Sequence, residues 1–253
     1  MVYKIEQLIK VKLNKPILIE GLPGIGNVGK IAIDFMIENL KAKKIMEITS
    51  NQFPHSVFVC ENHLIELPTI SIYYKKIKGQ DYLLLAGDIQ PVDEEGCYDF
   101  CDVLLDWFEI HKGQAIVTTG GIGLHHIPKK PKVYVTGNNA KFVKTFKDCE
   151  KKIYGVVGPI IGVTGLLLGL AEKRKIPAVA VLTQTFGHPS YIGIKEARET
   201  LKTLNNRFDL NLKIKQLDEE ITAIEKELTE KAKLLKEVAE STHKGSSDLT
   251  YFG

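Results

Sequence analysis

Gly24, Gly26 and Gly29 stand in the stretch LPGIGNVGK, directly after the apolar run PILIE and directly before IAIDFMIENL. A strand, a glycine-rich turn and a helix in that order can cradle phosphate. Backbone N–H groups at the helix start point at the anion, and glycine lets the backbone approach it. The three glycines have the spacing of a dinucleotide fingerprint, and Glu47 follows about 20 residues on, where a ribose hydroxyl would be held. Gly24 with Gly29 and Lys30 also matches most of a P-loop. That motif needs Ser or Thr after the lysine to hold magnesium, and Ile31 stands there instead. Glycines that serve positive φ and close helix–strand packing account for the same residues, and Pro23 and Asn27 favour that reading. A nucleotide- or nucleoside-binding α/β enzyme using Gly24, Gly26 and Gly29 therefore stands as an alternative.

Three histidines are candidates for proton transfer. His125 and His126 in GLHHIP and His188 in FGHPSY each follow a strand-like run, where α/β active sites form. Neither a serine elbow nor a zinc-ligand spacing nor a cysteine placed for a histidine partner accompanies them. Asp88, Asp93, Glu94 and Glu95 in GDIQPVDEEG could meet a cation, but an acidic helix start explains them through the helix dipole. Cys60, Cys97, Cys101 and Cys149 form no C-x-x-C pair, so reduced thiols are expected and neither a metal site nor a cofactor.

The elements that must position these residues are those of an α/β protein. VGKIAIDFMIENLKA has apolar residues at helical spacing, KKIMEIT reads as a strand, and residues 56–88 read as several strands joined by polar turns, so part of the sheet is antiparallel or mixed. GCYDFCDVLLDWFEIHKG is an amphipathic helix closed by glycine, and AIVTTGGIGL is a buried strand ending in glycines. GPIIGVTGLLLGLAEKRKI runs from a glycine-rich turn into a helix. PAVAVLTQT is then a nearly continuous apolar strand of the kind buried on both faces. Alternating strands and helices predict a mixed, mainly parallel sheet covered by helices. A net charge of +3, with both signs interspersed, points neither to nucleic acid nor to a membrane surface as partner. The N-terminus has no apolar signal core, and the longest apolar run is too short and glycine-rich to span a bilayer. A cytoplasmic, soluble protein is expected.

Beyond residue 207 the character changes. Leu210, Ile214, Leu217, Ile221, Ile224, Leu228, Leu235 and Val238 recur in steps of four and three, the seam of a coiled coil, interrupted by Lys231. Two arrangements satisfy such a helix: self-association, or folding back on its own domain. The chain accordingly divides into an α/β domain over 1–207, a coiled-coil helix over 208–240 and a flexible tail over 241–253. That tail, STHKGSSDLTYFG, ends on Tyr251, Phe252 and Gly253, and aromatic rings on a tether gain free energy only on burial.

EGLPGIGNVGKIAIDFMIENL, TTGGIGL and GPIIGVTGLLLGLAEKRKIPAVAVLTQTFGHP, taken together and in order, resemble the proteasome assembly chaperone family in its archaeal form. The resemblance covers residues 1–207. It implies a nucleoside-phosphorylase-like α/β fold without established catalytic machinery. It further implies a homo-oligomer, tetramer or pentamer, whose partners are core proteasome α subunits. A paralogous family member that buries the tail in a heteromer is an alternative partner. Some archaeal relatives end in hydrophobic–tyrosine–any residue, a tail that enters pockets between α subunits. Laid on this chain, Tyr251 takes the hydrophobic place, Phe252 the tyrosine place and Gly253 the end. Phe252 departs from the pattern by lacking the phenolic hydroxyl.

Overall fold

The structure, a computed structural model, describes residues 2–59, 63–91, 93–151, 158–215 and 218. Its first strands are β1 (Tyr3–Gln7) and β2 (Ile17–Gly21), and β2 feeds a 3-10 turn (Ile25–Asn27) and α1 (Val28–Leu40). β3 (Lys43–Ser50), a small ribbon of β4 (Phe58–Val59) with β5 (Ile65–Glu66), and the long hairpin β6 (Ile70–Ile77) and β7 (Gln80–Gly87) follow. Then come α2 (Glu94–Ile110), β8 (Ala115–Leu124), β9 (Val133–Gly137), α3 (Ala140–Lys144), α4 (Val163–Lys173), β10 (Ala178–Phe186) and α5 (Ile194–Phe208).

Eight strands form one sheet in the order β1-β3-β6-β7-β2-β8-β10-β9. β7, β2, β8 and β10 run parallel at its centre, and the strands on either flank pair antiparallel. The mixed sheet follows from the connections. Tight turns such as Lys78-Gly79, both at positive φ, close hairpins, whereas the helices make the parallel crossovers. Every residue of β2 is buried, Glu20 included, as a strand covered on both sides requires of its apolar residues.

Alternation along the strands divides the core in two. Leu18, Leu83, Leu85, Ile116 and Ala178 meet Phe100, Leu104 and Phe108 of α2 and Leu167 of α4. Their neighbours Ile19, Leu84, Val117 and Val179, each fully buried, face the other layer, where α1 packs against α5. Asp93 caps α2 by accepting from the Gly96 N–H at 2.7 Å, which gives the acidic helix start a local structural role.

Two units make up the chain, Met1–Leu212 and Lys213–Gly253. The sequence places that boundary at 207, with Leu210 opening the coiled-coil seam. In the structure α5 ends at Phe208, Asp209 adopts left-handed φ of 50°, and Leu210 and Leu212 are buried in the first unit. The left-handed residue breaks the helical register, so Leu210 belongs to the core of its own domain rather than to a seam. Ile214 is helical and half-buried, while Leu217, Ile221, Ile224, Leu228, Leu235 and Val238 lie outside the described residues, as do Tyr251, Phe252 and Gly253. Among the described residues no helix is long and apolar enough to cross a membrane.

Candidate functional site

β2 and β8 lie side by side, but the chain leaves them in opposite directions. From β2 it passes through α1 toward β3, and from β8 toward β9 and β10. Such a switch point opens a crevice beyond the carboxyl ends of the two strands. Here the crevice is a cleft of about 440 Å³. The turn after β2, the glycines of β8 and the segment leading into α4 form its walls. Ile25 and Ile161 stand at its lip, 50% and 83% exposed.

The three glycines of the opening motif turn out to do three different things. Gly26 takes φ of 64°, and a Cβ there would sit 2.6 Å from Thr185 Oγ1. At Gly29 a Cβ would lie 2.6 Å from the carbonyl oxygen of Thr119, so its absence lets α1 close on β8. Gly24 is different, because nothing lies within 4 Å of a Cβ built on it. Gly24 and Gly29 line the cleft and Gly26 does not, so the sequence motif does not act as one cradle.

Lys30 is equally committed elsewhere. Its Nζ lies 2.7 Å from both Asp34 Oδ2 and Asp88 Oδ1. Burial opposes its charge, but the two carboxylates outweigh that and hold its pKa above the usual lysine value. Glu47 cannot serve a ribose beside β2, because β6 and β7 intervene between β3 and β2. It pairs instead with Lys44 of its own strand.

His125, His126 and His188 are brought to one edge. The Gly187 N–H donates to the Leu124 carbonyl at 2.8 Å, joining the loops that carry them. All three are exposed. His188 stacks on Phe186 at 5.6 Å, and its Nδ1 accepts from the Ser190 N–H at 3.2 Å. Cys97 and Cys101 are buried in α2, Cys149 is half-buried, and Cys60 lies outside the described residues. Among the described residues no group of three His, Cys, Asp or Glu side chains is placed to hold a metal ion.

The sequence reading missed the polar floor beneath the cleft. Glu20 of β2 is 0% exposed, and its carboxylate accepts from the Leu22 N–H at 2.9 Å and from the Thr164 hydroxyl at 3.3 Å. The Thr119 hydroxyl donates to the Glu20 carbonyl at 2.8 Å. Burial pushes the Glu20 carboxyl up to about 7, although the hydrogen bonds from Leu22 and Thr164 favour its charged form. Thr118, which pairs with Glu20 across the strands, is fully buried, with no partner for its Oγ1 among the described residues. Gln90 ties the two walls together. Its Nε2 donates to the Pro23 carbonyl at 2.9 Å, and its Oε1 accepts from the Val163 N–H at 3.4 Å. The signal was visible as one acidic residue inside an apolar strand, PILIEG, which is rare unless the carboxyl is used or paired.

Against known proteins, the chain matches the model of the PAC2 family over residues 18–232. Its fold superposes on the crystal structure of PbaB from Pyrococcus furiosus, an archaeal proteasome activator, with a TM-score of 0.82 and 29% identity. That match covers 90% of this chain and 98% of PbaB. PbaA of the same organism, a homologue of proteasome-assembly chaperone, matches with a TM-score of 0.77 at 20% identity, over 95% of this chain and 97% of PbaA. The uncharacterized protein MJ1210 of Methanocaldococcus jannaschii is 25% identical over 95% of this chain and 93% of its own length. The resemblance read from the three glycine-rich stretches thus extends over most of the sequence and the fold, and the chain belongs to the PAC2 family.

Proposed function

We propose that this chain is a non-catalytic, cytoplasmic homo-oligomer that docks on the α-ring of the archaeal core proteasome and assists its assembly or opens its gate without ATP. The likeness to PbaB carries the reading, because it combines 29% identity with near-complete coverage of both chains. Docking is through Tyr251, Phe252 and Gly253: an aromatic ring fills an apolar slot while a terminal carboxylate pairs with a lysine. Ile214, Leu217, Ile221, Ile224, Leu228, Leu235 and Val238 gather four or five protomers along a heptad seam. Several tails on one oligomer raise the effective concentration, which multiplies affinity by roughly 10²–10⁴.

Co-sedimentation of the full chain with an archaeal core proteasome, with peptide hydrolysis read in the same tubes, tests the proposal. Binding with faster hydrolysis is the activator's outcome, and binding without it the assembly factor's. Deletion of Tyr251 to Gly253 is expected to abolish co-sedimentation and leave the oligomer's mass unchanged. Unchanged binding by the truncated chain would sink tail docking.

A further inference from the structure

Glycine is conformationally costly, so a fold retains it where a side chain would collide or where the space is needed. Around the cleft both reasons occur. Gly29 and Gly121 admit no Cβ, because one would lie 2.6 Å from the Thr119 carbonyl oxygen and 2.2 Å from that of Ile25, respectively. Gly24 and Gly158 would meet nothing within 4 Å, and Gly120 nothing closer than 3.4 Å. Gly24 also has an extended backbone, φ −162°, open to any residue. The fold itself does not require glycine at these three positions, and all three line the cleft. A side chain at any of the three would take up part of the cleft's empty volume.

The chemistry of the lining narrows what enters. Among the described residues, no charged side chain lines the cleft. Leu22, Ile25, Ile122, Ile160 and Leu182 give it apolar walls. Among the described residues, Thr119 and Thr164 supply its hydroxyls, and each donates its proton to Glu20. Thr119 is 1% exposed, which leaves the Thr164 oxygen to accept from a molecule in the cleft. A volume of about 440 Å³ falls within the roughly 300–1,000 Å³ of small-molecule sites.

We propose that this switch-point cleft is a binding site for a small uncharged organic molecule, mainly apolar and carrying at least one hydrogen-bond donor, held by the hydroxyl oxygen of Thr164. The site is independent of the proteasome-docking tail. It disfavours nucleotides, whose phosphates would enter a cleft that has no lysine or arginine among the described residues.

The test uses the full chain and two fluorescent probes of nearly equal shape, 2-naphthol and 2-methoxynaphthalene, of which only the first can donate. Saturable binding of 2-naphthol is expected, about three- to tenfold tighter than the methyl ether, the difference of one hydrogen bond. Gly24→Leu, whose Cβ would meet nothing within 4 Å, should abolish binding while leaving the melting temperature close to that of the parent. Gly120→Ala, placing a methyl in the same space, is the second filling variant and guards against a folding defect in the first. Thr164→Ser should keep the preference for the donor and Thr164→Val should lose it. Equal affinity for the two probes would overturn the proposal. So would undiminished binding by folded Gly24→Leu or Gly120→Ala, or no saturable binding of 2-naphthol up to its solubility limit.

Discussion

The hydroxyl of Thr164, in the first turn of α4, donates to the buried carboxylate of Glu20 in β2 at 3.3 Å. This contact ties the central strand to a helix far away in sequence and places a titrating group under the cleft. Burial raises the folded-state pKa of Glu20 from 4.5 to about 7. Between those values the folded chain holds a proton that the unfolded chain has released. Stability therefore falls as pH rises through this window and levels off above it. The span corresponds to about 3 kcal/mol. Glu20→Gln should flatten the profile between pH 4.5 and about 7 and melt no lower than the parent above it. Thermal unfolding across that range decides it, and an unaltered slope would assign the titration to another group.

Two glycines of the turn after Glu20, Gly24 and Gly29, should respond oppositely to the same small change. Gly29→Ala forces a methyl against the Thr119 carbonyl and is expected to destabilise by about 1–3 kcal/mol. Gly24→Ala meets open space and should be neutral or gain about 0.4–1 kcal/mol by restricting the unfolded chain. Urea unfolding of both variants is the measurement. Equal losses would mean that the turn is held as one unit.

Titration calorimetry with ATP and with NAD should show no binding heat. Lys30, the one cation of the motif, is held by Asp34 and Asp88, and no cationic side chain lines the cleft among the described residues. Saturable heat with either nucleotide would revive the enzyme reading.

For the tail, Phe252→Tyr restores the hydroxyl that the family pattern carries. One neutral hydrogen bond is worth about 0.5–1.5 kcal/mol net, so each tail should bind the core proteasome roughly two- to tenfold more tightly. Surface-immobilised proteasome and monovalent tail peptides give the comparison without avidity. Equal affinities would show that the pocket does not read that hydroxyl.

The strands were legible where sequence chemistry is local. PILIE, the glycine-ended AIVTTGGIGL and the apolar PAVAVLTQT each became a central strand, and the run after residue 56 became antiparallel hairpins. Strand order was not legible. Nothing local shows that β6 and β7 insert between β3 and β2, and that insertion removes Glu47 from the cleft. β1 was missed because its five residues bury chiefly one side chain, Tyr3, whose hydroxyl donates to the Gly96 carbonyl at 2.7 Å. In the site, the turn is legible, and so is a packing use of its glycines, but not which glycine does what. Their separate roles depend on what each Cβ would touch, which spacing does not encode. Leu210 fitted the heptad only because the left-handed backbone of Asp209 has no sequence signature strong enough to break the pattern.

The position of β2 also has a consequence during synthesis. Both its neighbours come later: Ile17 pairs with Tyr82 on one side and with Ala115 on the other. A ribosome adding about 5–20 residues per second leaves this mainly apolar segment without a strand partner for seconds, and its second edge open for longer still. Newly made chains therefore pass through a period in which PILIE can pair with the wrong molecule, and crowding of nascent chains on one message would lengthen the odds against each.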